Sequence, residues 1–309
     1  MKKIVSLILV LVLCVGTGMT FTACGDKTDF TVGICQLMEH DSLDQATKGF
    51  TDALTEALEK EGKTVTFDTQ VPGDANLCAT VVNTFVSKKV DLIMANATPA
   101  LTAAAEATSA IPVLGTSVTD YKDTFKNNIP ANVTGTSDAV PFAEQAQMMI
   151  DTLKLQAGDK VGVIYCSGES NSKVQYDAVK ALFEEKGIEA KAYTFSDAAT
   201  ELQAITNSAA SECRAIYVPS DNTVAQNDST VGTVCGEKNV PVFTSYASTI
   251  GYASLAIDYY QLGVETGKMA AEILLGTKQV SDFEIKTLTP TTVYDEALCG
   301  KLNIAVPEN

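Results

Sequence analysis

Short polar segments follow apolar runs at several points of this 309-residue sequence, and their side chains could bind a small molecule. The segments are rich in hydroxyl, amide and carboxylate groups, and they span residues 37–40, 96–99, 116–120, 167–172, 220–222 and 245–246. One such segment would mean little, because turns favour these residue types anyway. Six of them, each after a strand-like run, indicate hydrogen-bonding groups gathered along one polar-lined cleft.

A zwitterionic ligand in such a cleft would need donors for its carboxylate, an anion for its ammonium and an apolar wall for its side chain. The single arginine, Arg214, stands at the start of a strand and so at the wrong end of a sheet to meet the carboxylate. A helix N-terminus could hold the carboxylate instead, because its free N–H groups and dipole favour anions. Residues 96–99 fit this role, since Pro99 suits the first turn of a helix.

For the ammonium we favour Asp221, with Glu169 as the second candidate, while Ser117 and Thr119 could add hydroxyl donors. Several of these side chains could instead cap helices, and capping does not exclude ligand binding. The predicted ligand-binding residues are Met38, Glu39, Asn96, Thr98, Ser117, Thr119, Glu169, Asn171, Asp221, Asn222 and Tyr246.

Glu39 and His40, the only histidine, are the one pair that suggests general acid–base catalysis. Neither a nucleophile elbow nor a metal-ligand cluster accompanies them in the sequence. We therefore expect the pair to lie at a cleft edge or hinge, or in a plain solvated turn. The sequence predicts no catalytic residue, no metal site and no cofactor.

The elements that must position the polar segments alternate between strands and helices. The predicted strands lie at 31–36, 64–70, 90–96 and 111–117, and after Pro141 at 160–166, 189–195, 215–220 and 241–245. Helical patterns separate them, including one at 223–236, and the strand-like runs 284–293 and 302–306 follow a late helix. This order predicts an α/β protein of two lobes, each a parallel sheet flanked by helices. Ligands of such sheets sit outside the carboxyl ends of the strands, which is where the polar segments fall.

The N-terminus predicts export. Lys2 and Lys3 precede an apolar run over 4–15, and about 12 apolar residues are too few for a membrane span, which needs roughly 20. Thr22-Ala23-Cys24 resembles the bacterial lipobox, in which cleavage precedes a lipid-carrying cysteine; a plain signal peptide with an incidental cysteine is the alternative. We predict a signal peptide over 1–23, a lipid-anchored linker over 24–29 and a location on the extracytoplasmic face of the cell membrane.

The full sequence is acidic, with 38 Asp and Glu against 22 Lys and Arg and a formal net charge of −16. This balance argues against a nucleic-acid partner, because phosphate binding needs clustered basic residues. The cysteines beyond the lipobox are widely spaced, at positions 35, 78, 166, 213, 235 and 299. Since none forms a CxxC pair, we expect small core side chains rather than a disulfide framework.

An ordered set of motifs, GICQLMEHDSLDQATKGFTDAL, NATPALTAAAEAT, IPVLGTSVTD, NVTGTSD, VGVIYCSGESNS, IYVPSDN and DYYQLGVETGKMAAEILLG, spans nearly the whole mature chain. Together they resemble the substrate-binding lipoproteins of ABC importers, in the family that includes tryptophan- and phenylalanine-binding members. The resemblance implies a type I periplasmic-binding-protein fold with three hinge crossings and a ligand cleft between the lobes. It also implies a monomer that carries an aromatic or other apolar amino acid to an ABC permease and its ATPase.

We predict that the late helix rejoins the first lobe and that the C-terminal strands rejoin the second. The first lobe would then be 30–137 plus 259–282, and the second 138–258 plus 283–309. Two other functions stay open on the sequence alone, a sugar or nucleoside receptor on the same fold and a secreted enzyme. The absence of tryptophan counts mildly against sugars, which commonly stack on aromatic rings.

Overall fold

A computed structural model describes residues 28–306 of the chain. The predicted signal peptide and the lipidation at Cys24 lie outside the described residues. Within 28–306, none of the helices combines the length and the apolar character that crossing a membrane requires.

The first lobe is built from alternating strands and helices. Its elements are β1 (Phe30–Gln36), α1 (Asp41–Lys60), β2 (Val65–Gln70), α2 (Ala75–Lys88), β3 (Leu92–Asn96), α3 (Thr98–Ala107), β4 (Val113–Val118), α4 (Tyr121–Thr124) and β5 (Val133–Ser137). The strands pair in parallel in the order β5-β4-β3-β1-β2. Because helices cover both faces, β3 and β4 are buried along their whole length.

The second lobe repeats this plan. Its elements are α5 (Phe142–Leu153), β6 (Lys160–Cys166), α6 (Ser170–Glu185), β7 (Glu189–Phe195), α7 (Ala198–Glu212), β8 (Ala215–Val218), α8 (Asn222–Gln226), α9 (Asp228–Lys238), β9 (Val242–Thr244) and β10 (Ala253–Ala256). The strands pair in parallel in the order β10-β9-β8-β6-β7. The predicted two-sheet α/β architecture is therefore confirmed.

The last part of the chain returns to both lobes through α10 (Tyr259–Leu274), β11 (Lys286–Thr287), β12 (Thr291–Tyr294) and α11 (Glu296–Leu302). Helix α10 packs tightly on α1, and glycines permit this approach. A Cβ atom at Gly49 would lie 2.0 Å from the Tyr260 carbonyl oxygen, and one at Gly263 would lie 2.0 Å from that of Ala46. The chain passes between the two sheets three times in all, after β5, after β10 and after β11.

Three sequence expectations need correction. Strand β11 pairs with β5 of the first sheet, so residues 286–287 do not belong to the second lobe as the boundary at 283 required. The run 302–306 does not form a strand. Asp295 caps helix α11 by accepting from the Leu298 N–H at 2.9 Å, and this helix extends to Leu302. The helix predicted over 223–236 is divided into α8 and α9 at Asn227.

Apolar side chains from both faces of each sheet form the cores of the two lobes. The cysteines at positions 35, 78, 166, 213, 235 and 299 are all buried, and the structure joins none of these six in a disulfide. They fill core space as small apolar side chains. The carboxyl ends of the two rigid sheets are left to carry the polar segments.

Candidate ligand-binding site

The polar edges of the two lobes touch each other. The His40 ring Nε2 lies 3.3 Å from Asn222 Oδ1, and the Gln226 side-chain amide donates to the Glu39 carbonyl at 3.4 Å. Elsewhere along the cleft, Gln175 Nε2 donates to Thr119 Oγ1 at 3.4 Å. These direct contacts between the lobes define a closed arrangement.

A narrow cavity of about 10 Å³ lies between the lobes in this closed arrangement. Of the predicted binding residues, Ser117, Asp221, Asn222 and Tyr246 line it. The cavity is also lined by residues that the sequence analysis did not include among its binding residues, namely His40, Ser42, Leu43, Asp138, Ser220, Ala225 and Tyr259. Polar groups of both lobes and an apolar wall thus meet in one enclosed space.

The first lobe presents one unpaired hydroxyl group in this cavity and a second on the neighbouring strand end. Helix α3 starts after Ala97, which has no side chain that could cap it, and the Thr98 hydroxyl is buried without a hydrogen-bond partner among the described residues. The Ser117 hydroxyl is likewise buried and unpaired within residues 28–306. Both Ala97 (φ 92°) and Ser117 (φ 55°) have positive φ, which costs free energy for residues other than glycine. This strained edge offers donors to an anion.

The other predicted residues of the first lobe support this edge or lie beside it. The Asn96 amide donates to the Leu43 carbonyl at 2.8 Å, which ties β3 to α1. Met38 is buried in the core, whereas Glu39 is exposed in a surface groove beside the cavity. Thr119 Oγ1 donates to Asp138 Oδ1 at 3.1 Å.

Asp221, the favoured ammonium partner, has both carboxylate oxygens engaged inside its own lobe. It accepts from the Val224 N–H at 2.8 Å as the N-cap of α8, from the Cys166 N–H at 2.8 Å and from the Ser172 hydroxyl at 2.7 Å. Burial, and then the nearby charge of Glu169, raises the pKa of Asp221 well above its ordinary value. Asp221 lines the cavity but is held as a structural cap.

Glu169, the second candidate, is also engaged. Its two oxygens accept from the backbone N–H groups of Asn222 and Thr223 at 2.9 and 2.8 Å, and from the side chains of the same two residues at 2.7 Å each. The side-chain amide of Asn171 donates to the Ser220 carbonyl at 2.7 Å. The second-lobe edge is therefore a network that satisfies most of its own groups.

Asp138 is the carboxylate that the sequence analysis missed. It directly follows β5, is 4% exposed and lines the cavity. Within residues 28–306 the side-chain donors to its oxygens are two hydroxyl groups, those of Thr119 at 3.1 Å and Tyr259 at 2.8 Å, and burial raises its pKa. The motif NVTGTSD ends on this residue, so the rule that ligands meet the carboxyl ends of strands would have found it had 133–137 been predicted as a strand.

His40 lies at the junction of the lobes, where the sequence analysis expected a cleft-edge or hinge role. It precedes α1 as an N-cap residue whose side chain makes no capping bond. Burial lowers its pKa, although Asn222 and the charges of Glu169, Asp44 and Asp41 act in the opposite direction. A neutral His40 ring that contacts the opposite lobe is suited to stabilise the closed arrangement.

Comparison with known proteins gives consistent matches. Residues 31–309 match the family model described as ABC transporter substrate binding protein. The Tyrosine-binding protein of Clostridioides difficile (strain R20291) is 35% identical over 317 residues, which cover 94% of this chain and 89% of that protein.

Two solved structures resemble the chain at equal sequence identity. An ABC domain from Streptococcus pneumoniae in complex with L-Trp is 30% identical, with a TM-score of 0.82, and covers 91% of this chain and 97% of that one. The ligand-free, open structure of a substrate-binding protein with adhesive properties from Clostridium difficile has the same identity and coverage but a TM-score of 0.66. The higher score with the ligand-bound structure agrees with the closed arrangement of the lobes.

Proposed function

The chain belongs to the family of ABC transporter substrate-binding proteins, and we propose that it captures a free aromatic amino acid and delivers it to the permease of an importer. Members of the family act outside the cytoplasm and bind a small molecule for transport; they do not transform it.

The observation that carries the proposal is that two kinds of polar group lie at the cavity between the lobes. The unpaired Ser117 hydroxyl in the cavity is a donor that suits a carboxylate, and the unpaired Thr98 hydroxyl and the first N–H groups of α3 follow the neighbouring strand. Asp138 lines the same cavity, and its carboxylate suits an ammonium. An amino acid carries its carboxylate and its ammonium on the same carbon atom, so one ligand can pair with the donors and with Asp138 at once.

The electrostatics of Asp138 support this orientation. A buried ammonium without a counter-charge would be expensive, and so would a buried carboxylate. Because the side-chain donors to Asp138 within the described residues are hydroxyl groups, no positive charge balances it through these bonds. A ligand ammonium would supply that charge and hold Asp138 ionised. A neutral sugar or nucleoside would not.

The wall of the cavity suits an aromatic side chain. Leu43 and Ala225 provide apolar surface, and Tyr246 and Tyr259 provide rings that can pack against the ligand ring by an edge or an offset face. The Tyrosine-binding protein and the L-Trp complex among the matches support the same ligand class.

We also propose that Cys24 carries the lipid that tethers the protein to the membrane. Replacement of Cys24 by Ala should release the protein into the medium or leave it unprocessed. If the variant stays lipid-labelled and membrane-bound, another residue anchors the chain.

A thermal-shift screen of the purified protein tests the ligand class. A ligand at 100 times its dissociation constant adds about 2.7 kcal/mol to the free energy of unfolding, which is readily detected as a higher Tm. We expect aromatic amino acids to raise the Tm and sugars and nucleosides to leave it unchanged. A rise with a sugar or nucleoside alone would contradict the proposal.

A further inference from the structure

The hydroxyl of Tyr246 is an unused polar group in the wall of the cavity. Tyr246 lies just beyond the end of β9, is 3% exposed and lines the cavity, yet its hydroxyl has no hydrogen-bond partner among residues 28–306. An unpaired buried hydroxyl costs free energy, and most buried polar groups in proteins are paired. The group is therefore suited to pairing with a ligand.

Tyr246 belongs to the second lobe, whereas Thr98 and Ser117 belong to the first and Asp138 lies at the crossing between them. With the charged end of an amino acid held by those residues, its side chain extends toward the second lobe. Tyr246 also lines the larger surface groove beside the cavity. The Tyr246 hydroxyl is thus placed for the far end of the ligand and not for its charged end.

The Tyr246 hydroxyl keeps its proton. Burial raises the pKa of Tyr246 well above its ordinary value, and the carboxylates of Asp228 and Asp221 raise it further. The nearby Ser248 hydroxyl already donates to Asp228 at 2.8 Å. A neutral phenol of this kind can donate one hydrogen bond and can also accept.

We propose that the Tyr246 hydroxyl is a specificity-determining group that pairs with a polar atom at the far end of the ligand's aromatic ring and so selects tyrosine over phenylalanine. The inference rests on the proposed amino-acid function. A ligand phenol can both donate to Tyr246 and accept from it. The ring of phenylalanine can do neither, and it would leave the buried hydroxyl unpaired.

Calorimetric titration of the purified protein with L-tyrosine and L-phenylalanine tests the inference. We expect the parent protein to bind tyrosine about tenfold more tightly than phenylalanine. In Tyr246→Phe this ratio should fall to about one, mainly through weaker tyrosine binding. The matched control is Tyr252→Phe, which removes a phenol that donates to the Ala305 carbonyl away from the cavity and should leave the ratio unchanged.

The parent protein also provides a test that needs no variant. The ligand O-methyl-tyrosine keeps an acceptor oxygen but loses its donor proton, so its affinity should lie between those of tyrosine and phenylalanine. An unchanged ratio in Tyr246→Phe, or equal affinities of the parent protein for tyrosine and phenylalanine, would overturn the role of Tyr246 while leaving the amino-acid function intact. Failure of the parent protein to bind any aromatic amino acid would overturn the proposed function and this inference with it.

Discussion

The cavity edges of the two lobes carry similar polar residues but differ in which of these residues are already hydrogen-bonded. The first-lobe edge leaves the hydroxyls of Thr98 and Ser117 unpaired and keeps two residues at positive φ. The second-lobe edge occupies the carboxylates of Glu169 and Asp221 with N–H and O–H donors of its own lobe. The carboxylates of the second-lobe edge therefore hold its shape, and the Tyr246 hydroxyl is the group of that edge that stays unpaired in the cavity wall within the described residues.

Under the proposed function, this difference favours an order of events. We expect a zwitterionic ligand to find its donors and its counter-charge at the first lobe and at Asp138 before the lobes meet. The second lobe would then close as a preformed surface through contacts such as that of Asn222 with His40. Strain and unpaired groups at the proposed site are expected of a functional site.

The largest expected effect comes from Asp138→Asn. Removing one partner of a buried charge pair costs several kcal/mol, so tyrosine affinity should fall about 100-fold. The fold should persist, because the amide oxygen can accept from one of the Thr119 and Tyr259 hydroxyls while the amide NH₂ donates to the other, and the variant no longer buries a carboxylate. Calorimetry measures the affinity and thermal unfolding checks the fold. An affinity within threefold of the parent would remove Asp138 from the site.

Asp221→Ala should act on stability more than on binding. The Cys166 N–H, the Ser172 hydroxyl and the Val224 N–H lose their acceptor, and relief of the repulsion from Glu169 offsets part of that loss. We expect the free energy of unfolding to fall by about 2 kcal/mol. Denaturant unfolding with and without tyrosine measures this. If stability is unchanged while affinity falls tenfold, Asp221 is the ammonium partner, as the sequence alone predicted.

Ser117→Ala should show the converse pattern. Its hydroxyl has no partner within the described chain, so stability should change little, while amino-acid affinity should fall about fivefold with the loss of one donor. The companion Ser117→Gly should also weaken binding, but it should raise the free energy of unfolding because glycine adopts φ 55° without strain. Equal affinities of all three proteins would show that Ser117 does not contact the ligand.

The smallest effect concerns pH. Burial in the closed state lowers the pKa of His40 below its ordinary value of 6.5, so the closed state binds fewer protons than an open state with an exposed ring. Affinity should therefore be full above pH 7 and fall about threefold as the pH drops below 6.5, levelling off below the lowered pKa. Titrations between pH 5.5 and 7.5 measure this, and His40→Gln should flatten the dependence. An identical slope in that variant would assign the effect to another group, such as Asp138.

Most of the architecture could be predicted from the sequence, because apolar runs and helical spacing are local signals. The exceptions had non-local causes. Strand β11 consists of only two residues, and its partner β5 lies in the lobe opposite to the one predicted. The strand at 133–137, with its Thr and Gly residues, was not predicted, and Asp138 was missed with it.

The candidate site was predicted at the level of segments but not of roles. The ends of the predicted strands indicated where polar groups gather. The rule that ligands meet the carboxyl ends of parallel strands depends only on topology. Whether a carboxylate is free or already paired depends on residues far away in sequence. Asp221 takes its donors from Cys166 and Ser172, and Glu169 takes its own from Asn222 and Thr223. No pattern within one segment contains that information.

The central claim is that the cavity recognises both charges of a free amino acid, and matched analogues of tyrosine test it most directly. Tyramine lacks the carboxylate and 3-(4-hydroxyphenyl)propionic acid lacks the ammonium, while both keep the phenol ring. Calorimetric titration should show that each binds about 100-fold more weakly than L-tyrosine or not at all. Binding of either analogue within threefold of L-tyrosine would contradict the claim.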